Sequence, residues 1–334
     1  MTDASLLSVS GLNVVFSTPH GRVAANNNIS LSVAAGETLG IVGESGSGKS
    51  VLCRALLGLL PVPPATVSAD TLDFAGRSLL SLNTAGMRAI RGQEIAMIFQ
   101  NPMSSLNPVW PIGDQISEGL RVHRGVGRSE ARKAAITALR RVGIPSPEIR
   151  VDDYPHQWSG GMAQRAVIAM AMISEPKLIL ADEPTTALDV TIQDQILSLL
   201  MQLQRETGMA IILVSHDMSV ISETCDRVAV MYAGSIVETG RTVDIFRAPA
   251  HPYTEGLLRS MPHVKVKTDR LASIAGQPPD LSTLGPGCPF ADRCAVVSAE
   301  CRIRPIALVP VDPDHQTACH FPERVAALAQ RGVS

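Results

Sequence analysis

The chain has 334 residues, enough for one large domain with an appendage or for two domains, and its 45% hydrophobic but only 3% aromatic content predicts an aliphatic core. Lys and Arg number 29 against 31 Asp and Glu, so the formal net charge of −2 speaks against the basic face that a nucleic-acid partner requires. No run of 18 apolar residues occurs, so no membrane-spanning helix is expected, and the first residues lack the basic and apolar stretches of a secretory signal.

Leu6 to Phe16 reads as an edge-type strand and Ile29 to Val33 as its alternating partner. The apolar run Thr38-Leu39-Gly40-Ile41-Val42 is a further strand, and Lys49 to Leu60 is a helix that Pro61, Pro63 and Pro64 end. Between them stands Gly43-Glu44-Ser45-Gly46-Ser47-Gly48-Lys49-Ser50, a G-x-x-x-x-G-K-S phosphate-binding loop in the strand-before, helix-after context the motif requires. Its glycines let the backbone wrap a phosphate chain with the N–H groups inward, and the helix start adds positive dipole. Lys49 is expected to reach the β- and γ-phosphates and Ser50 to hold Mg²⁺. Nucleoside triphosphate binding follows.

Glu94 to Phe99 is a buried-type strand that stops at Gln100-Asn101-Pro102. From Ile112 to Val142 the period turns helical, with Ile112, Ile116 and Leu120 four apart and Ala131, Ala135 and Leu139 likewise, which predicts an inserted helical subdomain over about 101–175. Ser159-Gly160-Gly161 caps a helix to about Ile173, Lys177 to Ala181 is a central parallel strand, Val190 to Thr207 is helical, and Ala210 to Val214 is a strand ending at Ser215-His216-Asp217. Arg227 to Met231 and Ser235 to Glu238 form a hairpin. After about Met261 the composition shifts to Pro, Cys and short apolar pieces, which predicts a boundary between residues 1–260 and a C-terminal extension, 261–334.

The run Leu178 to Glu183 supplies what phosphoryl hydrolysis needs beyond a cradle: Asp182 to hold Mg²⁺ through water and Glu183 to polarise the attacking water. Six cysteines occur. Cys53 and Cys225 fall in predicted helices and read as buried thiols. Cys288, Cys294, Cys301 and Cys319 are spaced C-x₅-C-x₆-C-x₁₇-C. A nucleotide-dependent chain without an export signal is expected to be cytosolic, where disulfides are rare, so these four point to metal first. The spacing is not the C-x₂-C of common zinc sites, while four thiolates suffice for an iron–sulfur cluster. Zinc and free structural thiols stay open, as do His315 and His320 as substitute ligands.

Taken in order, the motifs resemble those of the nucleotide-binding subunit of ATP-binding-cassette transporters over roughly residues 6 to 260. Gln100 matches the family's Q-loop, Trp158-Ser159-Gly160-Gly161-Met162 its signature, Asp182-Glu183 its Walker B pair, Ala187-Leu188-Asp189 its D-loop and His216 its switch histidine. The resemblance implies an α/β fold with a RecA-like phosphate-loop NTPase core, an antiparallel β subdomain and an inserted helical subdomain, here followed by a small Cys-rich C-terminal extension. It implies that Ser159, Gly160 and Gly161 meet the ATP of a second cassette, that Gln100 senses Mg²⁺ and the lytic water, that His216 bonds the γ-phosphate and that Asp189 organises the dimer contact. Phe16, with His20 as alternative, is the candidate for stacking on adenine. Trp158 stands where Leu is usual, and Ala163 where Arg is frequent.

A narrower resemblance rests on Tyr154-Pro155-His156-Gln157, on Asn101 to Pro108, on His251-Pro252-Tyr253-Thr254 and on Gly287-Cys288-Pro289-Phe290-Ala291-Asp292-Arg293-Cys294. These are similar to the D-type ATPase of oligopeptide/dipeptide permeases, with Met162 in place of Gln. That implies ATP-driven import of peptides or similar small solutes at the cytoplasmic face of the inner membrane. It also implies an F-type ATPase partner, two membrane permease subunits, an extracytoplasmic binding protein, and a four-iron four-sulfur cluster on Cys288, Cys294, Cys301 and Cys319. The alternative is a non-transport cassette ATPase acting on nucleic acid or ribosomes.

Overall fold

The computed structural model describes residues 5–19, 21–186, 188–261, 274–325 and 328. In chain order its strands are β1 (Leu7–Thr18), β2 (Gly21–Val33), β3 (Thr38–Val42), β4 (Ala65–Ser68), β5 (Thr71–Phe74), β6 (Arg77–Ser78), β7 (Ile95–Ile98), β8 (Leu178–Asp182), β9 (Ala210–Ser215), β10 (Arg227–Tyr232), β11 (Ser235–Arg241), β12 (Val309–Asp312) and β13 (His315–Thr317). The helices are α1 (Lys49–Leu56), α2 (Thr84–Ile90), α3 (Pro102–Ser105), α4 (Ile112–Arg124), α5 (Arg128–Arg141), α6 (Pro147–Arg150), α7 (Gly160–Met172), α8 (Val190–Thr207), α9 (Met218–Thr224), α10 (Thr242–Arg247), α11 (Pro252–Arg259) and α12 (Glu300–Ile303). They fall into two compact units. One comprises Val33–Glu37 and Ser81–Val214 with the first few residues, and the other Leu7–Ser32, Thr38–Leu80 and Ser215–Ser334.

In the first unit β7, β8 and β9 pair in parallel, with Ile95 opposite Leu178 and Leu178 opposite Ala210. Every residue of β8 is buried, as a strand covered on both faces must be. The inserted helices α3 to α7 hang from this sheet. The four-residue spacing is carried through: Ile112, Ile116 and Leu120 of α4 and Ala131, Ala135 and Leu139 of α5 are all buried, and both helices pack on α7.

The second unit holds two sheets. In the first, β1 pairs antiparallel with β5 over Leu7–Ser10 and with β4 over Asn13–Phe16. Its buried face shifts by one residue at Gly11, where it changes partner: Leu7 and Val9 are buried before it, Leu12 and Val14 after it. In the second, β3 and β10 are parallel, and β11, β13 and β12 follow antiparallel.

Beyond the composition change near Met261 the chain returns to this second sheet. Residues beyond it add β12 and β13 to the sheet that contains β3, and a buried ionic contact secures them. Glu238 on β11 accepts from the N–H groups of Ala250 and His251 at 2.6 and 2.9 Å and pairs with the ring of His315 on β13 at 2.7 Å. The carboxylate raises the imidazole of His315 above its ordinary pKa against the opposing effect of burial. His315, kept open as a substitute metal ligand, is not among the residues that line the cysteine pocket. Helix α1 is also shorter than expected. It ends at Leu56 rather than Leu60, since the chain turns at Gly58, whose φ is +59°, before the prolines arrive. Cys225 caps the end of α9 instead of lying within a helix, and burial pushes its thiol up to about 12.

Candidate nucleotide site and cysteine cluster

The phosphate loop leaves β3 at Val42 and enters α1 at Lys49. Gly48 has φ +100°, and a Cβ there would collide with the carbonyl oxygen of Ala25, so only glycine suits the position. The loop is held from several sides. Asn26 donates to the Gly48 carbonyl at 3.1 Å, the Gly234 N–H to the Ser47 carbonyl at 3.0 Å, and the Glu44 N–H to the hydroxyl of Tyr253 at 2.8 Å. Lys49, 5% exposed, donates through Nζ to the carbonyls of Gly43 and Glu44 at 2.7 and 2.9 Å. Ser47 is buried beside it, whereas Ser45 and Gly46 are exposed at the tip and Ser50 is half-buried. An ammonium held at the mouth of a loop that opens a helix is a fixed cation for a polyphosphate.

In the first unit Asp182 closes β8 and is 2% exposed. Glu183 follows with φ +46°, a left-handed conformation unusual for a residue with a side chain and frequent at functional sites. Its Oε2 accepts from Gln100 Nε2 at 3.0 Å and from Thr186 Oγ1 at 2.8 Å. Two of the expected residues, Gln100 and Glu183, are thus brought together although 83 positions apart. Thr186 was missed by sequence reasoning; its only signal was its place three residues after Glu183.

The signature opens α7. Ser159 and Gly160 are exposed, and Ser159 Oγ accepts from the Met162 N–H at 3.4 Å. Trp158 is buried and donates through Nε1 to Asp153 at 3.1 Å, which shows how its bulk is accommodated. Asp189, exposed, is the N-cap residue of α8, while Ala187 and His20 lie outside the described residues. His216 is exposed directly after β9, where Asp217 caps α9 through the Ser219 N–H at 2.7 Å. Phe16 is half-buried on β1 opposite Ala65.

Cys288, Cys294, Cys301 and Cys319 line one narrow pocket with Phe290 and Phe321, a space of about 20 Å³. Burial pushes the thiols of Cys288 and Cys319 up to about 11 and raises that of Cys294. Four thiols facing an apolar space need a cationic centre to ionise together, so the donor chemistry fits a thiolate-bound cluster. Among the described residues no three His, Cys, Asp or Glu side chains form a group placed to hold a metal ion, so the support for a metal centre is the donor set and not its geometry. His320 reaches the same pocket. His251, fully buried beside it, accepts the Tyr253 N–H at Nδ1 at 3.1 Å, and desolvation lowers it to about 3, so it stays neutral.

The ABC transporter family matches over residues 26–186, and the C-terminal region of oligopeptide/dipeptide transporters over residues 237–301. The chain is 48% identical over 325 residues to the dipeptide transport ATP-binding protein DppD of Bacillus subtilis, covering 97% of each. Against DppD of Escherichia coli it is 47% identical over 318 residues, 95% of this chain and 97% of that one. Among solved structures, cbiO1 of Clostridium perfringens, part of the ABC transporter complex cbiONQ, superposes with TM-score 0.62 at 30% identity, covering 73% of this chain and 91% of that one. The dimeric structure of MJ0796, a bacterial ABC transporter cassette, gives 0.62 at 27% identity, covering 71% and 98%.

Proposed function

The chain belongs to the ABC transporter family, among the ATP-binding subunits of its oligopeptide/dipeptide branch, and from that premise we propose that it hydrolyses ATP to drive the import of di- or oligopeptides. The observation that carries the reading is the second match: residues 237–301 correspond to the C-terminal region of oligopeptide/dipeptide transporters, over and above the cassette itself.

The roles follow from chemistry. By resemblance to the family, Lys49 and the backbone from Gly43 to Ser50 would hold the phosphates and Ser50 a Mg²⁺ ion, while Gln100 and Asp182 would serve the other unit's part in Mg²⁺ binding. Glu183, oriented by Gln100 and Thr186, takes the proton of the attacking water, and His216 donates to the γ-phosphate. Phe16 stacks on adenine. Ser159, Gly160 and Gly161 act on the ATP of a partner cassette, a role suited to the exposure of Ser159 and Gly160 at the start of α7, and Asp189 supports that dimer contact. The partner is an F-type ATPase.

No helix among the described residues is long and apolar enough to cross a membrane, so the subunit meets the membrane through two permease subunits, which an extracytoplasmic binding protein supplies with peptide. Met103, Val109 and Trp110, which follow Gln100, are 45%, 73% and 47% exposed and offer an apolar edge for permease docking. Pull-down of the tagged chain from detergent-solubilised membranes is expected to bring two permease subunits with it. Retention on DNA or RNA that salt abolishes, with no permease present, would replace this reading with that of a cassette ATPase acting on nucleic acid.

Residues 261–334 serve as an extension carrying a four-iron four-sulfur cluster on Cys288, Cys294, Cys301 and Cys319. The four-thiol donor set gathered on one pocket supports this. When bound, such a cluster braces the segment. Anaerobically purified protein is expected to contain about four irons and four acid-labile sulfides per chain. Zinc at one per chain in their place would reverse the assignment.

A further inference from the structure

The cysteine-rich segment reaches the phosphate loop through one side chain. Arg293 precedes Cys294, and its side chain is 6% exposed. It grips the carboxylate of Glu44 with both arms, Nη1 to Oε2 at 2.7 Å and Nη2 to Oε1 at 2.9 Å. The remaining donors are used as well: Nη1 to the hydroxyl of Tyr232 at 3.3 Å, Nη2 to the Ile274 carbonyl at 3.3 Å and Nε to the Ala275 carbonyl at 3.0 Å. All five N–H groups of the guanidinium thus have an acceptor. The guanidinium also lies 5.8 Å from the ring centres of both Tyr232 and Phe290.

Glu44 is the other half of the link. Its N–H is bonded to Tyr253, its carbonyl accepts from Lys49, and its carboxylate is held by Arg293. Tyr232, Tyr253 and Phe290 pack together behind it, with ring centres 4.6 to 5.4 Å apart. The motif leaves the residue after its first glycine unspecified, and here that residue joins the phosphate-binding lysine to the C-terminal segment.

We propose that Arg293 is a positioning residue for nucleotide binding, acting through Glu44. It neutralises a carboxylate that would otherwise set a negative charge in a loop built to receive a triphosphate. Its bidentate grip also holds the Glu44 backbone where the Lys49 ammonium is bonded. The cysteine-rich segment is then part of the support of the nucleotide site. The inference rests on the reading that the loop binds ATP.

The test is the equilibrium affinity of the full-length chain for Mg-ATP in the wild type and in R293A, R293K, R293A/E44Q and K49A, with melting temperature recorded for each. R293A is expected to weaken ATP binding on the order of tenfold, the effect of leaving one charged hydrogen-bonding group unpaired. R293K, which keeps charge and bulk but not the fork and so folds most readily, is expected to fall between wild type and R293A. R293A/E44Q is expected to recover most of the lost affinity without recovering melting temperature, a separation that a merely structural role would not produce. R293A or R293K binding ATP as the wild type does, or a loss that persists unchanged in the double variant, would overturn the clamp alone. Wild-type protein that binds no more ATP than K49A would overturn the nucleotide reading, and the clamp with it.

Discussion

Glu183→Gln is expected to leave Mg-ATP bound and to lower its hydrolysis by about 10²- to 10⁴-fold, the range that a positioned general base supplies. Glutamine has almost the shape of glutamate, and its amide oxygen can still accept from Gln100 and Thr186, which hold Glu183 Oε2 at 3.0 and 2.8 Å. The substitution therefore removes basicity and negative charge while retaining the geometry. The left-handed backbone at Glu183, φ +46°, is another reason to expect little structural change, because the side-chain swap does not alter the cost of that conformation. Losing the carboxylate also removes a negative charge that would repel the γ-phosphate, so ATP affinity is expected to hold or rise, and ATP-joined cassette dimers to accumulate. Phosphate release and nucleotide binding measured on the same preparation separate the two effects. Hydrolysis at the wild-type rate would strip Glu183 of its role.

The parts of the fold legible in the sequence are those fixed by short-range periodicity. Helix α8 runs from Val190 to Thr207 as its pattern predicts, and Asp182 stands at the end of a fully buried strand as an apolar run ending in a carboxylate requires. The strands β4 to β6, two to four residues long, are too short for alternation to register. Pairings across long separations were not legible at all. Arg293 meets Glu44 across 249 positions and His315 meets Glu238 across 77, and nothing local marks either partner. His315 accordingly stayed open as a substitute metal ligand, and the change of composition after Met261 carried no sign that β13 pairs with β11. Composition reports what a segment is made of, whereas edge pairing depends on which strand has been left uncovered.

Lys49→Ala is expected to weaken ATP binding by about 30- to 150-fold, the equivalent of about 2–3 kcal/mol for the loss of charged hydrogen bonds. The ammonium is 5% exposed and already bonded to the carbonyls of Gly43 and Glu44, so its desolvation and ordering are complete before nucleotide arrives. That preorganisation is why one side chain carries so large a share: the phosphates meet a cation that no longer has to shed water or search rotamers. Alanine removes the cation and also leaves two loop carbonyls without this donor, which loosens the path of the backbone that must present its N–H groups. Lys49→Arg discriminates between the two consequences. It retains the charge but brings a planar fork into a space shaped for a point charge, so it is expected to keep the loop ordered, as read by melting temperature, and still bind ATP more weakly than the wild type. Isothermal titration with Mg-ATP measures both variants, and a Lys49→Ala affinity within about threefold of wild type, well inside 1.4 kcal/mol, would remove this lysine from the phosphate site.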